Sequence, residues 1–314
     1  MIPVFGLTST LRASLYLIIE LKEESMDKAL ELRMAVDKHG HVEDALMYLN
    51  RSELIKRYEN LENLTMLGEI FALIGLAEIP YSYELSFVKK LIGSINDNVA
   101  TDQGFSYTGK MEDIVPCYNA MIFEAYSRLG LGKTKQAQNA LSWIKSYQVF
   151  DRNRKTAWKY DGICKYGGCM KSVPCYIGIG KTVKALITYR DIVDSEDTTI
   201  NQLINNGLDY MLKHQMFKRL SIDKPISANI TKNMFPQNYI LSITDLLYIA
   251  SKGNLLKEGN TVALIEKIEQ KRTKTGGWKI EHIYKYNGYI PFDNRRQDSQ
   301  WLTYIYNSLL NTTF

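Results

Sequence analysis

Long apolar segments are missing from this chain of 314 residues. No stretch approaches the roughly 20 consecutive apolar residues that a membrane-spanning helix needs. The apolar run at 15–21 is short, Glu20 interrupts it, and no small-residue cleavage site follows it. This run therefore does not match a secretory signal peptide, and we expect a cytoplasmic protein.

Cysteine and concentrated positive charge are also scarce. Four cysteines are too few to staple a chain of this length with disulfides, so reduced thiols in a cytosol are expected. The formal net charge of +5 is small, and no run of five basic residues occurs. A nucleic-acid-binding protein usually carries a concentrated basic stripe. The composition therefore argues against a nucleic-acid partner, whereas an anionic small ligand stays compatible with it.

No alternating strand pattern is evident, and a repeat of about sixty residues stands out instead. The tetrapeptide Val-Pro-Cys-Tyr occurs at 115–118 and again at 173–176. Comparable points lie at Pro236, at Asp298 and, upstream, near Tyr58. Each point predicts the start of a helix that is apolar nearly all round, and an earlier apolar helix is expected near 9–21. The predicted repeats thus start near 58, 116, 174, 236 and 298.

Helices of a second kind separate these apolar helices. The segments 83–96, 133–148, 199–215 and 260–271 place apolar residues on one face and polar residues on the other. Buried helices alternating with half-buried ones predict an all-α fold, a single α/α toroid over 1–314 with about five to six helical hairpins in two concentric rings. An open α-solenoid is the structural alternative, although its repeats are usually shorter.

The loops before the apolar helices carry a family resemblance. Gln270, followed by Gly276, Gly277 and Trp278, is similar to the glutamine-to-tryptophan motif of squalene and terpene cyclases. In that motif the glutamine caps an outer helix and the tryptophan stacks against it. The overall pattern most resembles uncharacterised prokaryotic proteins of this toroid class. The resemblance implies a central, aromatic-lined cavity that opens at the N-termini of the inner helices.

The tetrapeptide itself resembles protein prenyltransferase β-subunits, in which an inner helix opens with Asp-X-Cys-Tyr. In that family the Asp and Cys bind zinc and the Tyr helps to hold a diphosphate. Here Val115 and Val173 occupy the Asp position, and Trp301 stands where the zinc-binding histidine would be. The resemblance implies an apolar, isoprenoid-type ligand with an anionic head. It leaves a helical partner subunit and peripheral membrane contact open.

Anion binding is expected where the inner helices begin, since unpaired N–H groups and the helix dipole attract negative charge there. Lysines precede these helices, tyrosines open them, and aromatic residues cluster in the last repeat. The candidate ligand-binding residues are Tyr118, Tyr176, Lys165, Lys171, Trp278 and Trp301.

The cysteines supply a weaker, metal-binding hypothesis. Cys164, Cys169 and Cys175 follow a C-x4-C-x5-C spacing, and Cys117 could join them from the neighbouring repeat. Structural zinc sites favour tighter cysteine pairs, combined with a second pair or with histidines. Small buried thiols at repeat junctions are the alternative. No metal is favoured, so the cofactor stays unassigned and zinc stays an open alternative.

Catalysis is left open by the sequence. Class II terpene cyclisation needs an Asp-X-Asp-Asp cluster, and the nearest match, at 194–197, reads Asp-Ser-Glu-Asp. Candidate catalytic carboxylates lie in the loops at the expected mouth, namely Asp113, Asp161 and Asp298. A noncatalytic binding or scaffold toroid is the first alternative. A carbohydrate-active barrel with two carboxylates about 5 to 9.5 Å apart is the second.

Overall fold

The computed structural model describes residues 26–160, 165, 167–168, 173–193 and 196–311. Regular structure in this part of the chain consists of twelve α-helices and three short 3₁₀ helices. Its only β-type pairings are two isolated bridges, Ala100–Phe105 and Lys218–Pro225. The predicted all-α class is confirmed, whereas the apolar helix expected near 9–21 lies outside the described residues.

The twelve α-helices are numbered in chain order. They are α1 (Lys28–His39), α2 (Ala45–Arg51), α3 (Glu53–Glu59), α4 (Met66–Leu76), α5 (Ser86–Asn98), α6 (Pro116–Arg128), α7 (Lys135–Tyr147), α8 (Tyr176–Ile192), α9 (Thr198–Lys213), α10 (Ile243–Lys252), α11 (Val262–Glu269) and α12 (Gln300–Leu310). Among the described residues, no helix combines the length and the apolarity needed to cross a membrane.

Three helices begin close to the repeat points of the sequence. Helix α6 begins at Pro116, where the fixed φ of proline suits the first helical position. Helix α8 begins at Tyr176, two residues after Pro174. Helix α12 begins at Gln300, and the Ser299 side chain caps it by accepting from the Leu302 amide.

At the other two repeat points the helices begin later in the chain. Pro236 lies in a loop, and α10 begins seven residues further on at Ile243. A capping box fixes that start, because Ser242 and Asp245 each bond the other's backbone amide. Position 58 falls inside the short helix α3, and the buried helix α4 begins only at Met66. Local capping residues, more than repeat spacing, therefore decide where these helices start.

Helices α4, α6, α8 and α10, most of whose residues are buried, pack in chain order together with the half-buried α12. Helix α4 packs against α6, α6 against α8, α8 against α10, and α10 against α12. The amphipathic helices α5, α7, α9 and α11 each pack against the buried helix that precedes them. Each helix of this series thus has a neighbour on either side or lies at one end of the series.

The last segment of the described chain returns to the first helices. Arg57 donates to the Pro291 carbonyl at 3.1 Å, and the Tyr304 hydroxyl donates to Asp37 at 2.9 Å. The backbones of Gly68 and Gly288 approach so closely that a Cβ on Gly288 would collide with the Gly68 carbonyl. These contacts hold the two ends of the helix series together.

Candidate functional site

Six charged side chains lie against one another in the space between the buried helices, where charges are rarely tolerated without partners. All are buried or nearly so, with Arg128 the most exposed at 11% of its side chain. Three are carboxylates and three are cations, so their formal charges balance. We call this set the charged cluster: Glu78, Glu124, Arg128, Lys181, Lys184 and Asp245.

Lys184 lies at the centre of the charged cluster. Its Nζ is 3.2 Å from Oε1 of Glu124 and 3.2 Å from Oδ1 of Asp245. A third carboxylate, Glu78, lies 4.0 Å away. Arg128 directs two guanidinium nitrogens at the same Glu124 oxygen, at 2.8 and 2.9 Å. Helices α6, α8 and α10 are therefore joined by ion pairs as well as by apolar packing.

Asp245 is the most fully bonded carboxylate of the cluster. Its Oδ2 accepts from Lys181 Nζ at 2.9 Å and from the Ser242 amide at 2.9 Å. The Gln237 amide, oriented so that its nitrogen donates, lies 3.0 and 2.9 Å from the two carboxylate oxygens. These donors replace the hydration that the carboxylate loses on burial.

Burial and neighbouring charge set the protonation of the cluster. Burial alone would raise the pKa of Glu124, but Lys184 and Arg128 outweigh it and lower that pKa to about 2. Burial acts against the charged form of both lysines. The carboxylates around Lys184 overcome this and raise its pKa, whereas Lys181, which pairs with Asp245 alone, has a lowered pKa. The two lysines therefore differ in how well the fold stabilises their charge.

A cavity of about 240 Å³ lies directly above the charged cluster. It is built at the C-terminal ends of buried helices, since Arg128 and Lys252 are the last residues of α6 and α10, and Glu78 follows the end of α4. For α4 and α6 this is the opposite end from the mouth that the Val-Pro-Cys-Tyr pattern predicts, whereas Thr244 lines the cavity from the N-terminal end of α10.

Cations outnumber carboxylates along the cavity. Its charged residues are Arg33, Asp37, Glu78, Arg128, Lys184 and Lys252. Arg33 pairs with Asp37 at 2.8 Å on α1, and Arg128 and Lys184 belong to the balanced cluster. Lys252 is partly exposed and has no ion pair within the described residues. The cavity therefore carries one uncompensated positive charge at its rim.

Two tyrosines complete the polar part of the wall. The ring of Tyr248 lies 5.5 Å from Lys184 Nζ and 5.3 Å from the Arg128 guanidinium carbon, within range of cation–π attraction. Tyr304 bonds Asp37, and burial together with that carboxylate raises its pKa to about 12. Tyr304 therefore stays a neutral hydrogen-bonding group at neutral pH.

The two tyrosines predicted to bind a ligand lie at the other end of their helices. Tyr118 stacks on Tyr107 at 5.3 Å and on Tyr239 at 6.3 Å. Tyr176 is buried, and its hydroxyl donates to the Met216 carbonyl. Burial raises the pKa of both phenols. The structure does not bring these two tyrosines to the charged cavity.

The two predicted tryptophans are core residues. Trp278 has no exposed surface, and its indole N–H donates to the Ile268 carbonyl at 2.8 Å. Trp301 is 1% exposed and packs between Phe235 and Phe292. Neither indole can therefore line a ligand cavity in this structure.

The metal hypothesis finds no support among the described residues, where no group of three His, Cys, Asp or Glu side chains is placed to hold a metal ion. Val115, Val173 and the packed indole of Trp301 supply no donor atom at the positions of the family's zinc ligands. The residues present do not fit that zinc site. Cys117 is partly exposed, and Cys175 is buried at the start of α8.

The remaining candidates are dispersed. Asp113 accepts from the Thr108 hydroxyl at 2.6 Å in the loop before α6. Asp298 accepts from Thr273 and Thr275, and these hydrogen bonds outweigh burial to lower its pKa. Asp113 thus stabilises its own loop, whereas Asp298 joins two loops. Lys165 is partly exposed, and four candidates lie outside the described residues: Asp161, Cys164, Cys169 and Lys171.

The charged cluster was missed by sequence reasoning, although a signal for it exists. Glu124, Lys181, Lys184 and Asp245 each interrupt a helix that is otherwise apolar nearly all round. A charge in such a helix has to be paired inside the protein. Their partners could not be identified from sequence, because the pairs join residues as far apart as Glu78 and Lys184, 106 positions along the chain (184 − 78).

Protein-family models, curated proteins and solved structures were all compared with the chain, and none of them matched it. The resemblance to squalene cyclases and prenyltransferase β-subunits therefore stays a prediction from the sequence.

Proposed function

We propose that this chain is an α/α toroid that binds a small ligand with an anionic group in the cavity above the charged cluster. Three features of the helices support the toroid. Buried and amphipathic helices alternate, each buried helix packs against the next, and the last segment contacts the first helices. A buried inner layer and a half-exposed outer layer are what such an arrangement requires.

The charge of the cavity carries the ligand assignment. Four cations and two carboxylates line it, and Lys252 at the rim lacks an ion pair within the described chain. An anionic group placed there would gain a partner for Lys252. It would also lie close to Arg128 and Lys184 without having to displace their buried carboxylate partners.

The size of the cavity limits what it holds. At about 240 Å³ it falls below the usual range of roughly 300–1,000 Å³ for pockets that enclose drug-sized ligands. A diphosphate, a carboxylate metabolite or the head of a longer molecule fits that volume better than a whole isoprenoid chain. The isoprenoid diphosphates that the sequence resemblance implies are therefore one member of the proposed ligand class, with the chain outside the cavity.

A binding role accounts for the charges better than acid catalysis does. A carboxyl group that protonates a substrate must hold its proton near neutral pH, which requires a raised pKa. Glu124 has the opposite character, because its cationic neighbours keep it ionised down to about pH 2. Glu124 and its neighbours Lys184 and Arg128 therefore give the ligand a fixed arrangement of charges at the bottom of the cavity.

The ligand class can be tested by thermal-shift measurements on the full chain. The probes are pyrophosphate, geranyl diphosphate, citrate, an acidic oligosaccharide and the neutral sugar cellobiose. A probe at about 100 times its Kd should stabilise the fold by about 2.7 kcal/mol and raise the Tm by several degrees. We expect this for small anions and not for cellobiose. Unchanged Tm with every anion would contradict the proposal.

A further inference from the structure

A hairpin loop projects from the body of the protein after α9. Its two arms pair through the Ile226 amide with the Phe217 carbonyl at 2.8 Å, and through the Arg219 amide with the Lys224 carbonyl at 2.9 Å. The Lys224 amide also bonds the Ile222 carbonyl at 2.8 Å, which closes the tip. We call residues 217–226 the 217–226 hairpin.

The tip of this hairpin presents apolar side chains to solvent. Leu220 is 52% exposed and Ile222 is 46% exposed, two residues further on. Single exposed aliphatic residues are common on protein surfaces. Two of the six exposed large apolar residues of the described chain, however, fall within these three positions. The tip is therefore a local apolar patch on a projecting loop.

The base of the hairpin is anchored firmly in the core. Phe217 is 4% exposed, and Nδ1 of the buried His214 lies 2.8 Å from the Lys218 carbonyl oxygen. The His214 ring packs edge-on against Tyr176, with ring centres 5.0 Å apart. The fold thus holds the apolar tip outward, instead of allowing it to collapse onto the surface.

Positive charge surrounds the tip. The segment 213–224 contains one carboxylate, Asp223, and four cationic side chains: Lys213, Lys218, Arg219 and Lys224. Lys218 pairs with Asp223 at 2.8 Å, and Arg219 donates to backbone carbonyls of the opposite arm. Lys213 and Lys224 are exposed and have no ion pair within the described chain. The segment 213–224 therefore carries an excess of three positive charges.

We propose that the 217–226 hairpin docks this protein on an anionic lipid surface, with Leu220 and Ile222 entering the interface and the surrounding cations meeting the head groups. Aliphatic residues flanked by Lys and Arg are what an interfacial membrane contact requires. Charge complementarity favours an anionic membrane over a second copy of this chain, which would bring two positive segments together. This contact is independent of the ligand proposed for the cavity.

Vesicle co-sedimentation of the full chain tests the proposal. One set of vesicles contains equal parts of phosphatidylcholine and phosphatidylglycerol, and the other contains phosphatidylcholine alone. We expect binding to the anionic vesicles that weakens with added salt, because exposed charges are screened. Binding to the neutral vesicles should be at least tenfold weaker, since a surface potential contributes about 1 kcal/mol per basic residue.

Two matched variants locate the contact. Leu220→Ser with Ile222→Ser removes the apolar tip, whereas Leu46→Ser with Met47→Ser removes two apolar residues of similar exposure from α2. The first variant should lose at least tenfold in binding to anionic vesicles, and the second should bind like the wild type. Both should keep nearly the wild-type Tm, because about half of each side chain already faces solvent.

Three results would overturn the proposal. They are no binding to anionic vesicles, equal binding by the tip variant and the wild type, and equal binding to neutral and anionic vesicles. Sedimentation without lipid provides a further check. Self-association that disappears in the tip variant, together with no vesicle binding, would assign the tip to a second copy of the chain.

Discussion

Lys184 and Glu124 face each other from two neighbouring buried helices, with Nζ 3.2 Å from Oε1 and both side chains almost wholly buried. These helices, α8 and α6, open with the two copies of the Val-Pro-Cys-Tyr segment. Each residue of the pair lies eight positions after the first residue of its helix. Opposite charges on adjacent buried helices fix their relative placement, provided that each charge keeps its partner.

The two buried lysines of α8 should differ in their contribution to stability. Lys184→Met leaves Glu124 and Asp245 short of a shared cation, and we expect a loss of about 3–5 kcal/mol in the free energy of unfolding. Lys181→Met removes a lysine with a lowered pKa and one carboxylate partner, so its loss should be at least about 1 kcal/mol smaller. Urea unfolding of both variants measures the difference. Equal losses would mean that the cluster does not distinguish the two positions.

Acid should weaken the fold through Glu124. Its pKa is lowered from 4.5 to about 2, so the stabilisation is fully present above pH 4.5 and is lost as the pH falls towards 2. For a fully buried group this is on the order of 3 kcal/mol. The free energy of unfolding, measured between pH 5 and pH 2, should fall more steeply for the wild type than for Glu124→Gln. The exposed Glu62→Gln variant serves as the control and should keep the wild-type slope.

The close approach between Gly288 and Gly68 makes another prediction about the ends of the helix series. Gly288 and Gly276 both have positive φ, at 95° and 86°, so replacing either with alanine costs about 1–2 kcal/mol in backbone strain. A Cβ on Gly288 also collides with the Gly68 carbonyl, whereas one on Gly276 meets nothing within 4 Å. Thermal unfolding should therefore show a loss for Gly288→Ala that is larger by about 1–3 kcal/mol. Equal losses would mean that the backbone at Gly68 and Gly288 can move apart at little cost in free energy.

The all-helical class was predictable because apolar periodicity and proline at a helix start are local signals. Pro116 marks the start of α6 for this reason. The start of α10 was misplaced, since the capping box of Ser242 and Asp245 is a stronger signal than the distance from the previous repeat. Repeat spacing constrains packing between helices and leaves the lengths of the connecting loops free.

The candidate site was harder to predict than the fold. Trp278 and Trp301 are large aromatic residues, and a sequence does not distinguish a ring that fills the core from one that lines a cavity. Lys184 and Asp245 are visible as charges in apolar helices, but their pairing depends on which helices become neighbours. The charged cluster therefore follows from tertiary packing, which local sequence patterns do not reveal.

Calorimetric titration with pyrophosphate tests the central claim most directly, because it measures affinity and the effect of one cavity residue together. The wild type is compared with Lys252→Ala, which removes the unpaired cation at the rim, and with Lys257→Ala, an exposed lysine outside the cavity. We expect one binding site in the wild type. Lys252→Ala should bind roughly tenfold more weakly, since a hydrogen bond to a charged group is worth about 1.5–3 kcal/mol. Lys257→Ala should keep the wild-type affinity. Absence of binding, or equal weakening in both variants, would contradict an anion site at this cavity.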